Sequence, residues 1–443
     1  MSGFFNLGGV DVFRVGVIGS LFFLLIAANN LIKILRDSIF LGHHSVSELP
    51  YLYISVALIA GIIIATYTRF TAGMSLVRLI LGTNAVILSN IVLFWFLLTF
   101  IDPGWSHYAF YIWSAMVSVI AVAQLWTLAN QIFTLEEGKR SFGLLTAGGT
   151  VGGAVAGFGV KWFLNPSLEI HHLLWVIAGL YIAASGTLLW AQHRLVGKMS
   201  ERELGISEKP DEAPASSIGE LLAGSAYLKT IATLIFVSVI VSTLIDFEFK
   251  TVAKQAYPSA GALAMFFSSY YGWLSVATFF ADVVLTGKIL STVGLKPSLG
   301  FTPATLLIGS LGIMIWPGLL AAALTRMADT TLRESIHRSG MEILYMPLSA
   351  KVKKTVKTFL EVVIERTGDA TAGFIVLLTL YFAGTYHTYV HFVCIALIFV
   401  WMLIIALLRT GQSLNTELKS QGLAPTDEPS GDKYSKQSAS LIK

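Results

Sequence analysis

Lys33, Arg36 and Asp37, with Asn29 and Asn30 a turn earlier, stand inside an apolar run long enough to cross a membrane. An ammonium and a guanidinium can hold an anionic ligand, and a nearby carboxylate can hold them when that ligand is absent. At about 100° per residue these five side chains share an arc of roughly 120°, one polar face of a helix. Leu31, Ile32, Ile34 and Leu35 cover the rest. A charge at a helix centre in a bilayer costs about 2.5–3.5 kcal/mol on insertion scales, so this face has to turn toward protein or a water-filled cavity. Residues that carry such a cost are functional candidates.

The same spacing returns later in the chain. Asn29, Asn30, Lys33 and Asp37 correspond to Ser242, Thr243, Asp246 and Lys250, with the charges exchanged. Lys33 is thereby matched with Asp246 and Asp37 with Lys250, the pairing that two facing helices of a pseudo-symmetric cavity would use to offset each other's charge. A third set is Arg326, Asp329, Arg333, Glu334 and His337, where i, i+3 and i+4 spacings allow Arg326–Asp329 and Asp329–Arg333 pairs. Two readings stay open for it: an ion-pair network that locks the helix to a neighbour, or direct contact with a phosphate or carboxylate ligand. A fourth set begins with Lys351, Lys353, Lys354 and Lys357, a cytoplasmic anchor facing anionic lipid. It continues with Glu361, Glu365 and Asp369 on one face and Arg366 to the side. Glu342 with the lysines after it reads as a cytoplasmic gate or brace, and Glu361 and Glu365 as part of a gate.

The elements that must position these residues are helices. Of 443 residues, 55% are hydrophobic and 13% charged, which marks an integral membrane protein. About twelve apolar segments can be drawn, at roughly 13–41, 50–69, 76–101, 107–134, 141–164, 171–194, 226–250, 259–288, 297–315, 316–338, 358–382 and 386–409. The predicted fold is all-α, with two pseudo-symmetric six-helix halves at 1–194 and 226–409, a cytoplasmic linker at 195–225 and a polar cytoplasmic tail at 410–443. Parallel repeats of six helices with a site between them are the major-facilitator arrangement. Lys and Arg concentrate in the connections after even-numbered segments, which places both termini and the linker in the cytoplasm. The first apolar run follows no basic region with a cleavage site and reads as an uncleaved first helix.

Other features read as structural. Gly148, Gly149, Gly152, Gly153 and Gly157 give small-xxx-small spacings suited to close helix packing. His43–His44 and His171–His172 read as solvated loop residues, with no further ligand spaced for a metal. Cys394 is the one cysteine, so neither a disulfide nor a thiolate metal site can form. No nucleophile, base and orienting acid are spaced for catalysis, and the chain reads as a non-enzyme without metal or cofactor.

Four stretches stand out together: Leu35-Arg36-Asp37-Ser38, Leu244-Ile245-Asp246-Phe247-Glu248-Phe249-Lys250, Trp126-Thr127-Leu128-Ala129-Asn130-Gln131 with Glu136-Glu137-Gly138-Lys139-Arg140, and Glu342-Ile343-Leu344-Tyr345-Met346-Pro347-Leu348 leading to Arg366-Thr367-Gly368-Asp369. In this order they resemble the ATP:ADP antiporter, or nucleotide transporter, family of plastids and intracellular bacteria. The resemblance implies a major-facilitator-like carrier of twelve helices that exchanges nucleotides. Members that exchange ATP for ADP carry four charged positions important for transport. Arg36 and Asp246 keep the sign of two of them, a lysine and a glutamate. Ser114 stands where a glutamate is expected and Asp369 where a lysine is expected, which sets this chain apart from those members.

The resulting expectation is a secondary carrier of a nucleotide or related organic phosphate, working by alternating access, with ATP/ADP-type exchange left open as one mode by the changes at Ser114 and Asp369. Asn29, Lys33, Arg36, Asp37, Asn130, Gln131, Asp246, Lys250, Arg326, Asp329 and Arg333 would bind substrate, with Asn130 and Gln131 bonding a base or sugar. Glu342, Glu361, Glu365, Arg366 and Asp369 would gate or couple. The partners are an anionic, nucleotide-like small molecule and the lipid bilayer of a bacterial inner membrane, with no nucleic acid, and the expected state is a monomer. Two alternatives stand beside this reading: a proton-coupled carrier of another organic anion that uses Asp246 or Asp369, and a non-transporting sensor or scaffold with a carrier fold.

Overall fold

An apolar segment in lipid has no water for its N–H and C=O groups, and the helix satisfies them within a single segment. The computed structural model describes residues 12–71, 74–163, 169–196, 215–285, 289, 292–383 and 386–408; these are nearly all helical, with no strand among the described residues. The helices are α1 (Val12–His43), α2 (Leu49–Thr71), α3 (Leu76–Phe96), α4 (Gly104–Ile132), α5 (Leu135–Phe163), α6 (Leu173–Val196), α7 (Ala215–Gly224) and α8 (Ala226–Ala256). They continue with α9 (Ala260–Phe280), α10 (Leu295–Ile315), α11 (Leu319–Leu332), α12 (Arg338–Leu344), α13 (Ala350–Phe359), α14 (Glu365–Ala383) and α15 (Tyr386–Leu407). Most of the linker and the whole tail expected at 195–225 and 410–443 lie outside the described residues.

Nine helical stretches among the described residues are long and apolar enough to span a bilayer, which makes this a multi-pass membrane protein. They answer nine of the twelve expected segments. The other three, 259–288, 316–338 and 358–382, are helical in large part but carry a heavier polar load. In α9 it is Ser268, Ser269, Tyr270, Tyr271 and Ser275; in α11, Arg326 and Asp329; in α14, Glu365, Arg366 and Asp369. Each of these three also contains or adjoins a widened helical turn, at Ala281–Leu285, Arg333–His337 and Leu360–Ile364. Such turns recur in helices at functional sites, because the extra residue re-aims the side chains around it.

The chain packs as two units, and each takes a segment from the other half of the sequence. The first holds the described residues of Met1–Ser45, Ile62–Lys209 and Lys254–Phe279. In it α1 lies antiparallel to α4. Arg14 Nη1 donates to Ile132 O at 3.2 Å at one end, Phe22 meets Trp126 edge-on at 5.1 Å, and His43 stacks on His107 at 4.5 Å at the other end. Thr134 and Glu137 cap the start of α5 reciprocally, since Glu137 Oε2 accepts from Thr134 N at 2.9 Å and Thr134 Oγ1 accepts from Glu137 N at 3.4 Å. The Thr134 N–H, followed by the charge of Arg14, holds the Glu137 carboxyl below its ordinary range.

The glycine run of α5 packs as its spacing predicts. A Cβ on Gly152 would collide with the Phe23 carbonyl oxygen of α1, and one on Gly157 would lie 2.5 Å from Gly272 N of α9. Gly152→Val is therefore expected to destabilise the folded protein by about 1–3 kcal/mol through overpacking against backbone that cannot yield. Unfolding in detergent, compared with Gly143→Ala at an open and exposed position, measures it; equal stability of the two variants would refute the packing assignment.

The second unit holds the described residues of Val46–Gly61, Pro210–Ala253 and Phe280–Lys443. Here α8 lies antiparallel to α11 and α12. Tyr227 Oη donates to Leu344 O at 2.7 Å, Arg333 Nη2 to Ser238 O at 2.8 Å and Arg326 Nη1 to Ser242 Oγ at 3.0 Å. Trp401 of α15, fully buried, meets His337 edge-on at 5.6 Å. Thus α1 pairs with α4 in one unit as α8 pairs with α11 in the other. Lys33 and Asp246 also stand at the same distance from the ends of their helices, 33 against His43 and 246 against Ala256.

Candidate functional site

In the first unit the polar face of α1 is turned inward. Asn29 and Asn30 are buried and Asp37 is fully buried. Asp37 takes a two-pronged grip from the neighbouring Arg36, Nε to Oδ1 at 2.9 Å and Nη2 to Oδ2 at 3.1 Å. Tyr271 of α9 donates its hydroxyl to Asp37 Oδ2 at 3.1 Å. The Arg36 guanidinium lies 4.6 Å above the Tyr111 ring of α4, a cation–π contact that helps a charge tolerate low polarity. Asn30 Nδ2 donates to Ser275 Oγ at 3.1 Å. Ser114 is buried and turns its hydroxyl back to Tyr111 O at 2.8 Å. The register of the α1–α4 pair brings Ser114 level with Lys33. Asn130 and Gln131 are exposed in the last turn of α4.

The second unit contains a continuous network. Asp246 receives Lys250 Nζ on Oδ2 at 2.8 Å and Arg326 Nη2 on Oδ1 at 3.1 Å, while Tyr53 donates its hydroxyl to Oδ2 at 2.9 Å. Arg326 also reaches Asp329 Oδ2 at 2.6 Å, and Arg333 reaches Asp329 Oδ1 at 3.3 Å. Ser242 Oγ donates to Asp329 Oδ2 at 2.6 Å. Close by, Arg366 Nη1 pairs with Asp369 Oδ2 at 2.9 Å, and Thr243 Oγ1 donates to Asp369 Oδ1 at 2.8 Å. Glu365 lies 3.8 Å from Arg366. The Arg326–Asp329–Arg333 triplet forms as the helical spacing predicts. Asp246, matched in the sequence with Lys33, finds cations in Lys250 of its own helix and Arg326 of α11.

This network has chemical consequences. Arg326 is shared between two carboxylates and keeps about a fifth of its side chain exposed, whereas Asp329 has none exposed. A guanidinium held by two carboxylates can exchange one of them for a phosphate without losing its charge compensation, because phosphate offers the same paired oxygens.

Glu342 meets the lysines that follow it in the chain. Glu342 pairs with Lys357 and lies 3.8 Å from Lys353, and Lys357 lies 3.7 Å from Glu361. Beside it, burial first and then the charges of Glu361, Glu342 and Glu365 push the Tyr345 phenol above its ordinary range.

Tyr53, Tyr271 and Tyr111 were not singled out in the sequence, where each is one aromatic among many in an apolar run. His43 departs from the solvated-loop reading. His43 does not stand in isolation; His107 and Asp102 lie against it.

Residues 87–332 and 311–412 match the TLC ATP/ADP transporter family. The chain belongs to that family. Relatives of this TLC-family chain include the chloroplastic ADP,ATP carrier protein 1 of Arabidopsis thaliana, 23% identical over 61% of this chain and 48% of its own length. Another is the ADP,ATP carrier protein 4 of Rickettsia felis, 24% identical over 90% of this chain and 91% of its own length. The chain thus spans about half the length of the plant relatives and nearly all of that rickettsial one. Among solved structures, its fold is similar to that of the E. coli fucose:proton symporter FucP, with a TM-score of 0.52, 16% identity and coverage of 89% of this chain and 98% of that one. It is also similar to a bacterial homolog of the human lysosomal transporter Spinster, with a TM-score of 0.57, 11% identity and coverage of 95% and 100%. The TLC-family chain therefore has the major-facilitator fold expected of it. The family is one of transporters.

Proposed function

We propose that the chain is a secondary carrier that moves a nucleotide or related organic phosphate anion across a membrane by alternating access. The observation that carries this reading is the shared Arg326, which bridges Asp246 and Asp329 beside Lys250. Substrate phosphate would take the place of Asp246 on Arg326 and Lys250, and the internal pair would re-form after release. In the first unit Lys33 and Arg36 would offer substrate cations of their own, with Asp37 as the resting counter-ion of Arg36. Arg333, Asp329 and Asn29 complete the set, and Asn130 and Gln131 would meet a base or sugar.

ATP/ADP-type exchange fits the relatives, which are ADP,ATP carrier proteins. The serine at 114 and the Arg366–Asp369 pair alter the charge complement, so the exchanged pair of nucleotides is where this member would differ. Glu342, Lys353 and Lys357 brace the cytoplasmic side, with Glu361, Glu365, Arg366 and Asp369 as the gate or coupling group. The chain would work as a monomer in a bacterial inner membrane with both termini cytoplasmic, and its two functional halves would be 1–194 and 226–409.

Thermal stabilisation of the detergent-purified protein by nucleotides, nucleosides, sugar phosphates and dicarboxylates tests this, since a ligand of the folded state raises apparent stability by mass action. A nucleotide-dependent shift that disappears in Arg36→Ala is expected. A shift from a dicarboxylate with silence from all phosphates would refute the substrate class.

A further inference from the structure

At the end of the α1–α4 pair, three potential metal ligands come together from three places in the chain. His43 is in the last turn of α1, Asp102 follows the widened turn Leu97–Ile101 after α3, and His107 is in the first turns of α4. One ligating atom from each lies within 4.8 Å of the other two. His107 Nε2 is 2.9 Å from Asp102 Oδ1, and the His43 and His107 rings stack at 4.5 Å. We propose that His43, Asp102 and His107 form a binding site for a divalent transition-metal ion of the Zn2+ class.

The donor set selects the ion. Two imidazole nitrogens and one carboxylate oxygen suit Zn2+, Co2+, Ni2+ or Cu2+, whereas Ca2+ and Mg2+ take oxygen ligands. At Zn–ligand distances of about 2.0–2.2 Å, tetrahedral ligand atoms stand roughly 3.4 Å apart, so the cluster has to contract by little more than about 1 Å. His43 and Asp102 are exposed and can make that move, while His107 is buried and anchors the set. Water would supply the fourth position.

The surroundings already orient the two imidazoles. His43 Nδ1 lies 2.9 Å from Ile39 O, so it carries its proton there and leaves Nε2 with its lone pair for the ion. His107 Nδ1 lies 3.0 Å from His44 Nε2. With Nε2 of His107 on the metal, its Nδ1–H donates to His44, which becomes the outer hydrogen-bond partner of a metal-bound histidine. Asp102 is held in the left-handed region at φ 41°, which aspartate and asparagine tolerate and most residues do not. That conformation turns the chain into α4, with Asp102 N donating to Leu97 O at 2.7 Å. The ion would tie the last turn of α1 to the start of α4, next to Gly42, whose carbonyl accepts from Lys254 Nζ at 3.4 Å.

The test is a Zn2+ titration of the untagged, chelator-treated full chain in detergent, followed by calorimetry and by unfolding temperature, with Co2+ as the spectroscopic probe. Saturation at one ion per chain, a raised unfolding temperature and visible Co2+ bands of tetrahedral intensity are expected. His43→Gln and Asp102→Asn should each weaken binding at least about tenfold, and His44→Gln by about tenfold through loss of the outer partner. Asn at 102 keeps the left-handed backbone and His43 is exposed, so these two variants decide the matter even if His107→Gln fails to fold. His171→Gln should bind as the wild type does. Unchanged affinity in both His43→Gln and Asp102→Asn, loss of binding in His171→Gln alone, or no saturable binding by the folded wild type would each overturn the proposal.

Discussion

Arg326→Ala should lower the proposed nucleotide uptake by reconstituted protein at least about thirtyfold, because it takes from Asp246 and Asp329 the cation they share. Truncating one member of a buried, hydrogen-bonded charge pair at a binding site costs about 2–5 kcal/mol, and each 1.4 kcal/mol is about a factor of ten. Arg326→Lys keeps the charge but not the planar fork that spans two carboxylates, and should recover only a minor part of the rate. Arg338→Ala serves as the comparison. Its pair with Glu334 is exposed on both sides, at 61% and 52%, and such pairs contribute little. Uptake by a correctly inserted Arg326→Ala protein that matched Arg338→Ala would remove Arg326 from the transport machinery.

The second large effect is on stability. Asp329 has no exposed side chain and is the common counter-ion of Arg326 and Arg333, with Ser242 as a further donor. Asp329→Ala leaves two guanidiniums with a lost partner inside the helix packing and should cost about 3 kcal/mol, the lower end of the range for broken buried pairs, since both arginines keep some exposure. Unfolding in detergent should show it. The double variant Asp329→Ala with Arg333→Met should regain part of the loss, because it removes one of the stranded charges as well. A double variant as unstable as the sum of the two single ones would mean that Asp329 and Arg333 act independently.

These two expectations rest on features of unequal visibility. The Arg326–Asp329–Arg333 triplet was legible from the sequence, since i, i+3 and i+4 neighbours share a helix face whatever the tertiary structure. The inward turn of Asn29, Asn30 and Asp37 was legible for a similar reason: lipid excludes charge, so a polar face on an apolar helix has one tolerable direction. The glycines of α5 announced close packing through spacing alone.

What surrounds those residues was a different matter. Tyr53 on Asp246 and Tyr271 on Asp37 come from helices far apart in the chain, and a hydroxyl in an apolar run carries no periodic signal; Ser242 stood out by its repeat spacing, but spacing did not show its partner Asp329. The charge exchange between the halves matched Asp246 with Lys33, yet Lys250, four residues away on the same helix, supplies a cation to it. His43, Asp102 and His107 met only when α1 and α4 packed antiparallel. Hydropathy and helical period by themselves determined nine of the twelve expected spans, the polar face of α1 and the Arg326–Asp329–Arg333 pairs, because those depend on solvent and local geometry. The partners between helices were decided by tertiary structure, because which faces meet depends on packing that no single segment encodes.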